Sequence, residues 1–295
     1  MRAIVRRTLG LAWVVPALVL VGVFVYLPLV QNLQFSTLEW DIYSGSREYI
    51  GFDNYRRLLD DPVFWSSFGN NLLYAVISIA VQVFGALVLA ALIESIRSER
   101  WRRSLRAIYF VPSAISLTVA GLLFYFIYEP SLGPLNHLLR AVGLGELAQA
   151  WLGQESTAMT AIIAMSQWQG FGYSTLLFAV AIQRIPAEIY GAAAIDGVGP
   201  IGRFVHVTFP LVREMTGLMA IVTISGAFQV FNEVMVMTGG GPNNSTQVLG
   251  TWLYRSGFVR NDFGYAAAIA TVLFVITLGI ALVQLWFTRR RRVEW

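Results

Sequence analysis

Charge is absent from six long stretches of this chain, at 8–38, 62–93, 107–128, 156–183, 215–232 and 263–288. A helix needs about 20 apolar residues to cross the hydrocarbon layer of a bilayer. Over half of the residues are apolar and the mean hydropathy is +0.61, so these runs read as membrane crossings and not as the buried helices of a soluble domain. The expected architecture is an all-α integral membrane protein of six transmembrane helices, about 11–33, 70–93, 107–128, 158–182, 215–237 and 264–288. It forms one transmembrane domain over 1–295. The first run starts after Arg7 without a small-residue cleavage pattern and reads as a retained span.

Orientation follows from arginine. The chain contains no lysine, so all 21 basic residues are arginine. With six spans, both termini and the loops near 94–106 and 184–214 share one side. That side holds Arg2, Arg6, Arg7, Arg97, Arg100, Arg102, Arg103, Arg106, Arg184, Arg203, Arg213 and Arg289 to Arg292, the majority of the set. Positive loops stay inside, which places both termini in the cytoplasm. The terminal arginines read as an anchor ending the last span against lipid, and nothing calls for nucleic acid.

Several chemistries are missing. There is no cysteine, hence no disulfide, thiolate nucleophile or thiolate metal site. His137 and His206 lie far apart with no metal-ligand spacing around them, and no Ser/His/Asp set or carboxylate pair stands out. A P-loop requires a lysine reaching the β- and γ-phosphates; without one the chain does not hydrolyse ATP by that mechanism. No metal or cofactor is expected in this chain, and no enzyme activity of its own. If it is a pump, ATP and Mg are handled by another polypeptide.

Two spans carry polarity that a purely structural helix would avoid. Ser166-Gln167-Trp168-Gln169-Gly170 falls near the middle of span four, with Tyr173 and Ser174 a turn later. Span five holds Ser225, Gln229, Asn232 and Glu233, of which Ser225, Gln229 and Asn232 or Glu233 fall on one face by i, i+4, i+7 spacing. Interhelical hydrogen bonding is the simpler explanation for any one of them, at roughly 0.6 kcal/mol each in a membrane. As a cluster beside Trp168 and Tyr173 they suit a hydroxyl-rich solute, whose C–H face packs on a ring while its hydroxyls need donors and acceptors. An intramembrane acid also has a competing reading: a proton-coupled secondary transporter using Glu233. No second intramembrane acid or histidine completes such a relay.

The segment 188–210, EIYGAAAIDGVGPIGRFVHVTFP, lies between spans four and five on the arginine-rich side. Glu188 to Ile195 reads as a short helix with a slim alanine side. Asp196-Gly197-Val198-Gly199-Pro200 then forces a turn, since glycine permits positive φ and proline restricts its predecessor. A second helix runs from Ile201 toward Pro210. A helical lever fixed to two spans and rich in small residues needs something to dock into. On the outer side, loop 34–69 is acidic and turn-rich, 135–142 has helical spacing, and 238–244 (TGGGPNN) is a breaker cluster read as a plain turn.

Ala192-Ala193-x3-Gly197-x9-Val207-x-Phe209-Pro210 resembles the EAA loop, EAA-x3-G-x9-I-x-LP, of binding-protein-dependent ABC importer permeases. YLPLVQNLQFSTLEWD, GFDNYRRLLDDPVFW, RAIYFVPSAIS, MTGGGPNNST and FGYAAAIATVLFVI are similar to the maltose- and glycerol-3-phosphate-permease branch of that family, across nearly the whole chain. The resemblance implies a type I ABC importer permease fold. It implies a second homologous permease subunit, two ATP-binding subunits and an extracytoplasmic solute-binding protein as partners. It makes 188–210 the coupling loop, with Glu188, Gly191, Ala192, Ala193, Asp196, Gly197 and Pro210 as its contact set. Gly191 stands where the motif has its glutamate, and Glu188, one turn earlier, is the candidate substitute. The resemblance also places the solute site on Gln167, Trp168, Gln169, Gly170 and Tyr173 of span four and on Thr223, Gly226, Ala227 and Val230 of span five. Polarity alone selects Ser225, Gln229 and Glu233 in span five.

Overall fold

The structure, a computed structural model, describes residues 14–40 and 45–289. Arg2, Arg6, Arg7, Arg290 to Arg292 and the first residues of span one lie outside them. In chain order the elements are helix α1 (Val15–Phe35), strands β1 (Leu38–Trp40) and β2 (Arg47–Tyr49), and helices α2 (Asp53–Asp60) and α3 (Pro62–Glu94). Then follow α4 (Glu99–Ala114), α5 (Leu117–Ile127), α6 (Pro134–Ala141), α7 (Glu155–Gln183), α8 (Ala187–Ile195), α9 (Pro200–Leu211) and α10 (Arg213–Phe228). The chain continues with α11 (Asn232–Met237), α12 (Leu249–Tyr254) and α13 (Phe263–Arg289).

Among the described residues α1, α3 and α13 are each long and apolar enough to cross a membrane. The count reaches six if the bent pairs α4–α5, α7–α8 and α9–α10 are each one span. The bends are 92°, 76° and 71°. Span three is therefore not the straight 107–128 helix that hydropathy suggests. Pro112 lies in the last turn of α4, and Ser116 starts α5 as its N-cap, its hydroxyl accepting from the Val119 amide. Proline fixes φ and withholds a donor, which ends one helix, and a capping serine starts the next. Span two runs further than 70–93, because Pro62 opens its first turn, where proline is tolerated.

One compact unit comprises the chain up to Asp61 together with Leu253–Val275. Within it β1 and β2 form an antiparallel hairpin pairing Leu38 with Tyr49 and Trp40 with Arg47. The Asn54 amide donates to the Ser36 and Leu38 carbonyls at 3.0 and 2.9 Å, and Asn32 donates to Ala267 O and Thr271 Oγ1 at 3.2 and 3.0 Å. Arg57 pairs with Asp262 and lies over the Tyr265 ring.

The second unit comprises Pro62–Trp252 and Ile276–Trp295. Two apolar clusters run along α3 and α7. One gathers Tyr74, Ala75, Ala120, Met159, Ile162, Met165, Val230 and Val234. The other gathers Val83, Ala86, Ala90, Phe178, Ala179, Ile182, Val212 and Met219. Between them along both helices lies a buried polar level of Ser78, Ser166, Gln167, Ser174 and Thr175. Lipid is as apolar as these side chains, so close packing and interhelical hydrogen bonds hold such a bundle, more than expulsion from water.

Candidate functional site

Two spans depart from regular geometry around this polar level, and α7 packs against both. The widest departure is in span five. α10 stops at Phe228, residues 229–231 are not helical, and α11 resumes at Asn232. In a continuous helix the Ala227 carbonyl would accept from the amide of residue 231. Instead it accepts from Asn71 Nδ2 at 2.7 Å, while Asn71 Oδ1 accepts from the Leu249 amide at 2.9 Å. Neighbouring Asn70 donates to the Ser245 and Gln247 carbonyls, both at 2.8 Å. Two adjacent amides of α3 thus satisfy backbone that irregular structure leaves open. Such backbone is tolerated at membrane depth only where protein or a water-filled cavity receives it.

This break corrects the single-face reading of Ser225, Gln229 and Asn232 or Glu233, because three non-helical residues reset the helical phase. Gln229 and Gly226 are exposed, Ser225 is half-buried, and Thr223, Ala227 and Val230 are buried. Glu233 is 4% exposed, and its carboxylate accepts from the Tyr74 hydroxyl at 2.9 Å. That hydroxyl also hydrogen-bonds Ser166 Oγ, so α3, α7 and α11 meet at one polar point.

The second departure is in α3, which widens into π-type turns over Ile79–Gly85; such bulges recur at functional sites. Gln82 projects from there, its Nε2 donating to Gln167 Oε1 at 2.9 Å, and Gln167 Nε2 donates to Ser78 Oγ at 3.0 Å. A Cβ on Gly170 would come within 2.9 Å of the Gln82 amide, so this glycine makes room for α3. In α7, which is continuous, Gln169 Nε2 donates to the Ile115 carbonyl at 3.0 Å. A Cβ on Gly172 would collide with the Tyr109 carbonyl oxygen.

Gln167 and Gln169 therefore each have a hydrogen-bond partner outside α7, and Gly170 lies against Gln82. Trp168 and Tyr173 are different, at 39% and 51% exposed in the chain by itself, with Trp168 packed on Phe124 at 5.1 Å between ring centroids. The alternation is local: the amides face neighbouring helices of this chain, and the two rings lie on its surface. Asn71, Tyr74 and Gln82 of α3 were missed by sequence reading. Their signal was polar residues inside an otherwise apolar run, which the hydropathy sum hides.

The segment between α7 and α10 contrasts with this level. α8 ends in a Schellman motif: Gly197 has φ +74°, its amide donates to Ala194 O at 3.2 Å, and the Val198 amide donates to Ala193 O at 2.9 Å. Only glycine adopts this conformation without strain. Gly199 and Pro200 then occupy the N-cap and first position of α9, the favoured place for proline. Tyr190 and Thr208 join α8 to α9 through their hydroxyls at 3.0 Å. Ala193 is buried, whereas Glu188, Gly191, Ala192, Asp196, Gly197 and Pro210 are exposed. Beside the turn, Ile195 and Ile201 are 88% and 80% exposed, an apolar tip with no partner of its own. A Cβ on Gly191 would meet nothing within 4 Å, so glycine is not required there for space.

Toward the same end of α7, Arg106 forms a forked ion pair with Glu94, Nε to Oε1 at 2.9 Å and Nη2 to Oε2 at 2.7 Å. With the Gln183 amide oriented by its neighbours, its oxygen accepts from Arg106 Nη2 and Nη1 at 2.7 and 3.1 Å. The ends of α3 and α7 and the middle of α4 are joined through one guanidinium, whose planar fork suits such bidentate contacts.

Residues 82–293 match the model of the family described as binding-protein-dependent transport system inner membrane component. The probable ABC transporter permease protein YurN of Bacillus subtilis (strain 168) is 48% identical over 282 residues, covering 96% of each chain. The sulfoquinovosyl glycerol transport system permease protein SmoG of Agrobacterium fabrum is 30% identical, covering 97% of this chain and 92% of its own. In fold, the chain superposes with a TM-score of 0.86, at 22% identity and 99% coverage of both chains, on a crystal structure of a bacterial ABC transporter involved in the import of the acidic polysaccharide alginate. The expectation of an all-α, type I ABC importer permease fold is met. From the extent of the family match and the identity to relatives along nearly the whole chain, this protein belongs to the binding-protein-dependent transport system inner membrane components, the permease subunits of ABC transporters.

Proposed function

We propose that this chain is one of two permease subunits of a bacterial ABC importer for a carbohydrate or a polar, glycerol-phosphate-type solute. Its motor is a pair of separate ATP-binding subunits that engage 188–210, ATP and Mg being bound on those subunits. An extracytoplasmic solute-binding protein engages outer loops that include 34–69 and 238–262. Both termini face the cytoplasm. The relatives support the solute class: one is a sulfoquinovosyl glycerol permease, and others are sn-glycerol-3-phosphate permeases. A neighbour in fold has been crystallised with an alginate pentasaccharide-bound periplasmic protein.

The observation that carries the motor assignment is the tip of the α8–α9 lever. Exposed Ile195 and Ile201 flank a turn fixed by Gly197. Apolar groups held out on a rigid turn gain only by docking into a partner. Short bent joints of 76° and 71° connect the two lever helices to α7 and α10, so force on the tip is transmitted into the spans that carry the candidate solute site.

In that site Trp168 and Tyr173 supply stacking faces and Gln229 a free amide. Thr223, Ser225, Gly226, Ala227 and Val230 shape the span-five wall. Gln167, Gln169 and Gly170 set the helix spacing behind the rings, each amide using part of its hydrogen-bonding capacity on the chain itself. Glu233, hydrogen-bonded to Tyr74, fits a group that fixes the break in span five better than a proton carrier exposed to a pathway. Gentle detergent extraction, followed by mass spectrometry of co-purifying chains, tests the reading. An ATPase subunit and a second permease are the expected companions. Transport by this chain alone in a proton gradient would instead establish the Glu233 alternative.

A further inference from the structure

A side chain of α4 takes up both ends of one rung of the α7 hydrogen-bond ladder. Ser113 Oγ donates to the Gln169 carbonyl at 2.6 Å and accepts from the Tyr173 amide at 3.0 Å. In an undisturbed helix these two backbone groups bond to each other. Opening a rung inside a membrane ordinarily leaves two polar groups unpaired, at a cost of several kcal/mol. Here the hydroxyl serves donor and acceptor alike, so the rung can lengthen with neither group left bare. Insertion of a side chain into the ladder is one of the recognised causes of a helix kink.

The surrounding residues make the same place compliant. Gly170 and Gly172 lie inside the rung, and glycine is among the poorest helix formers. The Thr175 hydroxyl donates to the Phe171 carbonyl at 2.8 Å, a back-bond that bends helices. The Tyr109 carbonyl presses into the space left by Gly172, which anchors the α4–α5 corner against α7 at this level. On one side of the rung is Trp168, and Tyr173 is its donor. Beyond Tyr173, α7 continues to Gln183, where Arg106 ties its end to Glu94, and then to the α8 lever.

We propose that Ser113 is a positioning residue for translocation. It makes α7 flex between Gln169 and Tyr173 when the lever is driven, and so changes how Trp168 and Tyr173 are presented to the solute. This rests on the transport reading above.

The chain has no cysteine, so a pair of spin labels can be placed selectively at Ser156→Cys and Arg184→Cys, exposed positions near the two ends of α7. Their separation is measured in the assembled transporter, nucleotide-free and trapped with ATP and vanadate. Ser113→Thr, which keeps the hydroxyl, is compared with Ser113→Val, which keeps the shape and loses it. The expected result is a shift in the distance distribution on trapping for the native residue and for Ser113→Thr, and loss of that shift in Ser113→Val while ATP is still hydrolysed. Equal behaviour of the two variants, or an unchanged distance in the native chain during hydrolysis, overturns the hinge. An assembly that hydrolyses no ATP fails the transport reading itself and takes the hinge with it.

Discussion

The mid-span level and the lever are built by opposite rules. Around Asn71, Gln82, Gln167 and Gln169 the polar side chains find partners on other helices of the same chain. At the tip of α8–α9, two isoleucines are left almost fully exposed. In the first region the amides are partnered within this polypeptide, and in the second the apolar side chains are not. A buried polar group without a partner costs about 1–3 kcal/mol, so the membrane level must be satisfied before any partner arrives. The lever lies outside the hydrocarbon in the proposed orientation and can wait.

Glycine gives the sharpest way to break this contrast. Gly172→Ala drives a Cβ into the Tyr109 carbonyl, where backbone meets backbone and neither side is a flexible side-chain end. Overpacking of this kind costs roughly 1–3 kcal/mol or more. The expected outcome is a large loss of monodisperse protein on size-exclusion chromatography of detergent extracts. Gly191→Ala, with nothing within 4 Å of the new Cβ, leaves the profile unchanged. Equal damage from both substitutions would erase the distinction between the regions.

A smaller effect is expected from Asn71→Ala, which removes the partner of both the Ala227 carbonyl and the Leu249 amide. Each group left bare costs on the order of 1–3 kcal/mol, read as a fall in the thermal midpoint of the purified chain. An unchanged midpoint would mean that the break at 229–231 holds itself. Smallest on stability is the double change Ile195→Ala with Ile201→Ala. Exposed positions shift stability by about 0.5 kcal/mol or less, so the midpoint stays put while association with the ATPase subunit weakens in pull-down from membranes. A lowered midpoint without weaker association would make the tip part of the chain's own core.

The lever was readable because its determinants are local. Gly197 and the Gly199-Pro200 pair announce a positive φ and a helix start, and the structure places a Schellman turn and a capped helix there. Six uncharged runs were readable from the sequence, and the described helices reach six crossings if each bent pair is one span. Continuity was not readable, because an apolar run scores the same whether or not its helix is broken. No glycine or proline marks 229–231, and the determinant of that break, Asn71, is 156 positions from Ala227 in sequence. Pro112 did mark the corner in span three, but within an uncharged run its breaker signal was outweighed. Gln167 and Gln169 were legible as polar groups at mid-span, whereas the direction they face depends on Ser78 and Gln82 of α3 and on Ile115 at the α4–α5 corner.

The most direct test of an externally driven lever uses the missing cysteine once more. A photoactivatable cross-linker is attached at Ile195→Cys, and separately at Leu132→Cys in the loop between α5 and α6, which is 82% exposed. After irradiation of native membranes, adducts are identified by mass spectrometry. The expected result is an adduct between position 195 and an ATP-binding subunit, lost when Gly197→Val strains the turn, and no such adduct from position 132. An ATP-binding subunit captured from position 132, with none captured from position 195, would contradict the assignment of the lever and its side of the membrane together.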